Sequence, residues 1–277
     1  MPPPLRQVLT HEAMTTAFKI TVVHEDPAYA RQAVAAAFEE LDRIESRLSR
    51  YIEGSDVFRI NRLAIGEAAR VHPDTFDCLR IALDMQAQTN GALDVTYASA
   101  ATTALGPKLA LEPDQLVVRA LIEGLQVDLG GIGKGFALDR LAGLLREWDV
   151  TAILLAASTS TLLAIDPPPD SEGWPIRIGP DHDSRPFSLA HSAVSGSGTR
   201  VKGNHIFDPR SHQPAHRRLG AWSAAPTGSV SDALSTAFMV LDASAVRDYC
   251  HAHPGVAGYL WESETAPLQE FRRENGN

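Results

Sequence analysis

The sequence predicts a mixed α/β protein, and three observations carry that prediction. Phe18-Lys-Ile-Thr-Val-Val23 alternates as a half-buried first strand does. Asp26-Pro27 follows, a helix N-cap with proline at the first helical position. Val34, Phe38, Leu41, Ile44 and Leu48 then recur every three or four residues, the apolar stripe of a long core-packing helix. Further along, apolar runs suited to strands at 125–129, 152–156 and 176–178 are interleaved with helix-period segments.

The other elements follow from local signals. Pro73-Asp74 opens a second helix with Phe76, Leu79 and Leu83 on its apolar face, and Asn90-Gly91 supplies the left-handed turn that ends it. A third helix is expected after Gly135, with Ala137, Leu141, Leu144 and Trp148 as its stripe. Asp166-Pro-Pro-Pro-Asp170 is a stiff extended connector, suited either to dividing two lobes or to a surface loop. Residues 1–12 and the polar tail 269–277 are expected to fray.

Composition narrows the function classes. The chain has 277 residues, 44% of them hydrophobic and 21% charged, which excludes disorder and suits one large domain. Lys plus Arg number 25 against 34 Asp plus Glu, and a net charge of -9 repels a polyphosphate backbone, so nucleic acid is not expected as a partner. Cys78 and Cys250, far apart in sequence, indicate neither a disulfide framework nor a thiolate zinc site. No apolar run reaches the roughly 20 residues of a membrane helix. Neither an export signal nor a lipid-bearing cysteine is recognised near Met1, so the expected location is the cytoplasm.

Three motifs carry chemistry. Val127-Asp-Leu-Gly-Gly-Ile-Gly-Lys-Gly135 reads as a strand entering a glycine turn and then a helix, a geometry that offers backbone N–H groups and a helix N-terminus to a phosphate. It matches neither Walker A nor the dinucleotide fingerprint, which disfavours a nicotinamide oxidoreductase. Ser231-Asp-Ala-Leu-Ser-Thr-Ala237 reads as a helix start, with Asp232 and Thr236 on one face. That pair serves either as hard oxygen ligands for Mg²⁺ or as a helix cap and a back-bonded hydroxyl. Asn204-His-Ile-Phe-Asp-Pro-Arg210 is strand-like and ends in a turn among basic residues. His205 is its candidate proton acceptor, or else a satisfied surface histidine. His212 and His216 have metal-ligand spacing, but Pro214 between them opposes a helix, and zinc is not expected.

Taken in order, these motifs resemble the ApbE family of FAD:protein FMN transferases. The resemblance also includes Met14-Thr-Thr-Ala-Phe-Lys-Ile, Leu48-Ser-Arg-Tyr51 with the segment 55–61, and Gly91-Ala-Leu-Asp-Val-Thr96. It implies an α/β (α+β), T-fold-like architecture of two closely joined lobes, one domain over 1–277, with the flavin between the lobes. It implies Mg²⁺-dependent transfer of FMN from FAD to a Thr or Ser hydroxyl of an acceptor protein, with release of AMP. By position, the backbone carbonyl of Gly131 and the side chains of Asp232 and Thr236 would hold Mg²⁺. Met14, Tyr51, Ala92, Leu93, Asp94, Asp128, Lys134 and Ile206 would line the FAD site, and His205 would be the base. The same residues would also serve an FAD pyrophosphatase or a non-catalytic FAD-binding homologue. Three places depart from the family pattern: Thr15 stands for a glycine, Ala157-Ser-Thr-Ser160 for a Gly-Gly pair with a polar residue, and Ser211-His212 for Thr-Gly.

Overall fold

The computed structural model describes residues 5–99, 106–199 and 206–273. The chain opens with strands β1 (Leu5–Ala13) and β2 (Thr16–His24), then helix α1 (Pro27–Leu48). A short helix α2 (Asp56–Ile60), strand β3 (Ala68–Arg70), helix α3 (Pro73–Gln88) and strands β4 (Leu109–Glu112) and β5 (Val117–Ala120) follow. Helix α4 (Gly133–Glu147) leads to β6 (Ile153–Ala157) and β7 (Thr161–Ala164). Next come β8 (Trp174–Ile178), β9 (Arg185–Leu189), β10 (Ser192–Gly198), β11 (Phe207–Asp208) and β12 (Gln213–Pro214). Strand β13 (Gly220–Ala225), helices α5 (Gly228–Val240) and α6 (Ala243–Ala252), and strands β14 (Ala257–Trp261) and β15 (Gln269–Arg272) complete the described chain.

Among the described residues an eight-stranded sheet runs in the order β1-β2-β6-β7-β10-β13-β14-β15, antiparallel throughout. Its side chains divide between two layers with the period of two that a strand imposes. Leu163, Ala193, Ala225 and Leu260 enter the helix-side core with α1, α3, α4 and α5. Their neighbours Ala164, Val194, Ala224, Tyr259 and Trp261 face the other way, where the hairpin β8–β9 covers them with Trp174, Ile178 and Leu189. A smaller lobe, α2 with the sheet β3-β5-β4, joins the first, and the helix-side core runs on into it through Val57, Ile60 and Val118.

Several sequence expectations hold. Asp26 caps α1, accepting from Ala28 N and Tyr29 N, and four of the five stripe residues are buried, with Phe38 packed at the edge. Asn90 and Gly91 end α3 at φ 49° and 75°. The cysteines are free and buried. Burial raises both thiols, Cys250 to about 12. The Asp166–Asp170 stretch is the connector from β7 to the covering hairpin.

Others are corrected. Residues 5–12 do not fray: they form β1, an edge strand ahead of the expected first strand, in a nine-pair register with β2. Residues 269–272 likewise pair with β14. In both places pairing to a strand that already has a core face outweighs local polarity. The run 125–129 is extended but not a strand, because side chains supply part of what a neighbouring strand would. Asn61 brackets Val127, donating to its carbonyl oxygen at 3.0 Å and accepting from its N–H at 2.6 Å, and Ser99 Oγ accepts from Gln126 N. Helix α4 starts at Gly133, three residues early, which places Lys134 and Gly135 in its first turn. Among the described residues no helix is long and apolar enough to cross a membrane.

Candidate functional site

The site is built where the N-termini of α4 and α5 meet. Gly135 and Gly228 touch there: a Cβ on Gly135 would lie 2.0 Å from the Gly228 carbonyl oxygen and 2.8 Å from Asp232 Cβ. Only glycine allows this approach. Each helix then caps the other. Asp232, from the second turn of α5, accepts from Gly135 N in α4 at 3.1 Å. Asp139, from α4, accepts from Gly228 N at 2.7 Å and Ser229 N at 2.8 Å, and also from the Ser229 hydroxyl. Ile132, the N-cap residue of α4, supplies no side-chain bond, so Asp232 meets that need from across the interface. Both positive helix ends therefore lie beside one carboxylate.

Asp232 is not itself the helix cap, which is Thr227. Only 3% of Asp232 is exposed, and three side-chain or backbone donors reach it. Besides Gly135 N, Thr161 Oγ1 donates to Oδ1 at 3.2 Å, and Lys134 Nζ lies 3.3 and 3.2 Å from the two oxygens. Thr236 lies one turn on, with its hydroxyl 3.4 Å from the Asp232 carbonyl oxygen and 3.5 Å from Ser197 Oγ. Gly131 approaches that hydroxyl so closely that a Cβ there would sit 3.3 Å from Oγ1 and 3.4 Å from Leu93 Cδ1. Asp232, Thr236 and Gly131 are thus brought together, with Leu93 beside them.

This oxygen set suits Mg²⁺. Among the described residues there is no group of three or more His, Cys, Asp or Glu that would form a protein cage. A single carboxylate with a hydroxyl and a carbonyl is the sparse protein contribution expected when substrate phosphates and water complete the shell.

The remaining predicted residues form the surroundings. Asp128 accepts from Gly130 N at 2.9 Å and so shapes the glycine turn. It pairs with Arg50 at 3.3 Å, and Tyr97 OH donates to it at 3.5 Å. Arg50 also donates to Tyr51 OH at 2.6 Å, a bond that raises its pKa, and its guanidinium stacks on that ring. Tyr51 is 74% exposed, an aromatic face presented to solvent. Tyr97 is pushed up, first by burial and then by the Asp128 charge. Ala92 and Leu93 are buried. Asp94 turns inward, accepting from Thr96 N and Oγ1 and pairing with Lys108 at 2.9 Å, so it clamps its own loop.

Ile206 is buried and accepts from Ala215 N across the β11–β12 hairpin, whose Arg210 packs on Gly91. Met14 sits in the two-residue β1–β2 turn, its N–H donating to Glu45. Ser158 N donates to Ala17 O, and Ser160 O accepts from Gly196 N, which puts the Met14 turn and the β6–β7 turn at one end of the sheet. His205 lies outside the described residues. Lys134, which the resemblance assigns to the FAD site, has its ammonium on Asp232 and on the Gly130 carbonyl oxygen of the glycine turn. Sequence reading gave no role to Arg50, Asn61, Tyr97, Asp139, Thr161 or Ser197. Only Arg50 and Asn61 had a signal, as neighbours inside quoted motifs.

Paired helix N-termini, a glycine turn and a buried carboxylate with an adjoining hydroxyl make an arrangement suited to an anionic group and a hard cation. The model of the ApbE family matches residues 14–260, and the chain belongs to that family. It is 24% identical over 274 residues to the FAD:protein FMN transferase of Klebsiella pneumoniae, covering 84% of this chain and 78% of that one. It is 22% identical over 299 residues to the one of Escherichia coli K12, covering 93% and 84%. Flavin transferase ApbE from Vibrio cholerae superposes with a TM-score of 0.84 at 19% identity, covering 98% of each chain. The apo flavinyl transferase ApbE of Pseudomonas stutzeri does so at 0.84 and 22%, covering 98% and 95%. The fold is the two-lobed ApbE fold.

Proposed function

We propose that this protein transfers FMN from FAD to a Thr or Ser hydroxyl of an acceptor protein and releases AMP, with Mg²⁺ at Asp232, Thr236 and the Gly131 carbonyl. The observation that carries the reading is the meeting of Asp232, Thr236 and the glycine turn at Gly131 with the N-termini of α4 and α5. Family membership and the FAD:protein FMN transferases among its relatives supply the substrate. Bound there, Mg²⁺ would neutralise charge on the diphosphate as the phosphorus changes partners.

The chain's own groups do the rest. Gly131, Gly133 and Gly135 keep side chains away from the turn, so backbone N–H groups can approach the diphosphate. Asp128 holds that turn and, through Arg50, places Tyr51 where it can lie against a flavin. Met14, Ala92, Leu93, Asp94 and Ile206 form the remaining walls. The acceptor hydroxyl oxygen bonds to the FMN phosphorus, the bond to the AMP oxygen breaks, and His205 takes the hydroxyl proton.

The test is to incubate the protein with FAD and Mg²⁺, with and without a threonine-bearing acceptor peptide, following AMP by chromatography and peptide mass by spectrometry. AMP together with an FMN-sized mass gain is the expected result. AMP with free FMN and unmodified peptide would make water the acceptor for that peptide. Bound, uncleaved FAD would overturn the catalytic reading.

A further inference from the structure

Lys134 Nζ lies 3.3 and 3.2 Å from the two oxygens of Asp232 and 3.2 Å from the Gly130 carbonyl oxygen. A cation belonging to the chain therefore already bridges the glycine turn and α5, the same two elements that the proposed function joins through Mg²⁺. Asp232 is buried, and its remaining contacts are neutral donors, Thr161 Oγ1 and Gly135 N. A buried carboxylate held only by neutral donors is costly, and a positive partner offsets that cost. Two cations on one carboxylate oppose each other strongly at such distances.

We propose that Lys134 is the resident counter-ion of Asp232, displaced when a divalent cation takes the carboxylate. Its ammonium, in the first turn of α4 beside the glycine turn, is then released toward the diphosphate of FAD. Lys134 is thus a positioning residue that couples metal binding to FAD binding: each ligand strengthens the other, equally in both directions. The inference rests on the metal reading of Asp232.

The test is calorimetric titration of Mg²⁺ alone into the full chain freed of flavin and metal, for the wild type, Lys134→Met, Lys134→Gln and Asp232→Asn. Both Lys134 variants are expected to bind Mg²⁺ roughly tenfold more tightly than the wild type or better, because the competing charge is gone. Flavin fluorescence would then show Mg²⁺ strengthening FAD binding in the wild type and much less in either variant. Lys134→Gln keeps a donor for Asp232 and carries the same expectation if Lys134→Met does not fold. Unchanged or weaker Mg²⁺ binding in the folded variants, beside clear binding by the wild type that Asp232→Asn loses, would overturn the counter-ion role alone. No Mg²⁺ binding by the wild type, or binding that Asp232→Asn leaves intact, would overturn the metal reading as well.

Discussion

Asp139 and Asp232 perform the same structural task from opposite sides of the α4–α5 contact, each satisfying N–H groups at the start of the other's helix. They differ in what else they hold. Asp139 uses both oxygens on the backbone of Gly228 and Ser229 and on the Ser229 hydroxyl. Burial raises its pKa, against the pull of those bonds. Asp232 gives one oxygen to a single backbone N–H and turns the rest of its charge to Lys134 and Thr161. The first carboxylate is a cap. The second is a cap with negative charge to share, and that surplus is what a divalent cation needs.

The largest effect should come from breaking that difference. Asp232→Asn keeps an oxygen to accept from Gly135 N or Thr161 but removes the charge. FMN transfer should fall by about 10²–10³-fold, the scale of losing one electrostatic contact to a transition state, while the variant still melts cooperatively. Steady-state rates of AMP release with FAD and acceptor peptide would check this. A loss under tenfold would make Asp232 a second Asp139.

Next in size is the contact that lets the two helices cap each other at all. Gly135→Ala places a methyl 2.0 Å from the Gly228 carbonyl oxygen, a backbone atom that cannot yield without moving α5. Overpacking of this kind should cost about 3 kcal/mol or more. Gly143 on the same helix has nothing within 4 Å of its would-be Cβ. Gly143→Ala should therefore stabilise by about 0.5–1 kcal/mol through helix propensity. Urea unfolding of the two variants side by side separates a steric requirement from a mere preference for alanine in helices.

These pairs also explain what the sequence could and could not disclose. Asp232 and Thr236 were readable because four residues on a helix share a face, and the glycine turn because its composition is unusual. The alternative in which Asp232 caps its own helix falls five positions late, since Pro226-Thr-Gly-Ser offers a threonine and a serine ahead of it and Thr227 takes the N-cap. Asp139 was invisible: its partners lie 89 and 90 positions away, and a lone aspartate inside a helix stripe looks solvated. Thr161 was hidden for the same reason, reaching Asp232 across 71 positions. The false strand at 125–129 had a strand's apolar content. Nothing local revealed that Asn61 and Ser99 would bond to its backbone.

The titration of Asp139 sharpens the comparison further. Its folded pKa is raised above the unfolded value, first of all by burial. The stability it contributes is therefore fully present below the unfolded pKa of about 3.9 and is lost as pH rises through the folded pKa. Asp139→Asn lacks this term and loses an acceptor, a deficit of about 1–2 kcal/mol. That deficit should be larger at acidic pH than at neutral pH, which melting curves of both proteins at pH 4.5 and pH 7.5 would show. A deficit that shrinks toward acid would mean that the α5 N–H groups, not burial, govern Asp139.

The smallest effect lies at the rim, where the molecule accepts what its centre forbids. Thr15 and Met14 take φ 59° and 50° in the two-residue turn between β1 and β2, and Ser158 takes 54° in the β6–β7 turn. Left-handed conformations cost a residue with a Cβ roughly 1–2 kcal/mol, and two-residue hairpins of this hand favour glycine. Thr15→Gly relieves that strain but frees the unfolded chain, so the net gain should be about 0.5–1 kcal/mol. For a chain of this size that raises Tm by about 1–3 °C. If Thr15 is only a tolerated substitution, transfer activity stays the same as stability rises. If activity falls instead, the side chain beside Met14 contributes to holding the flavin, and the rim is as specific to its task as the cross-capped centre.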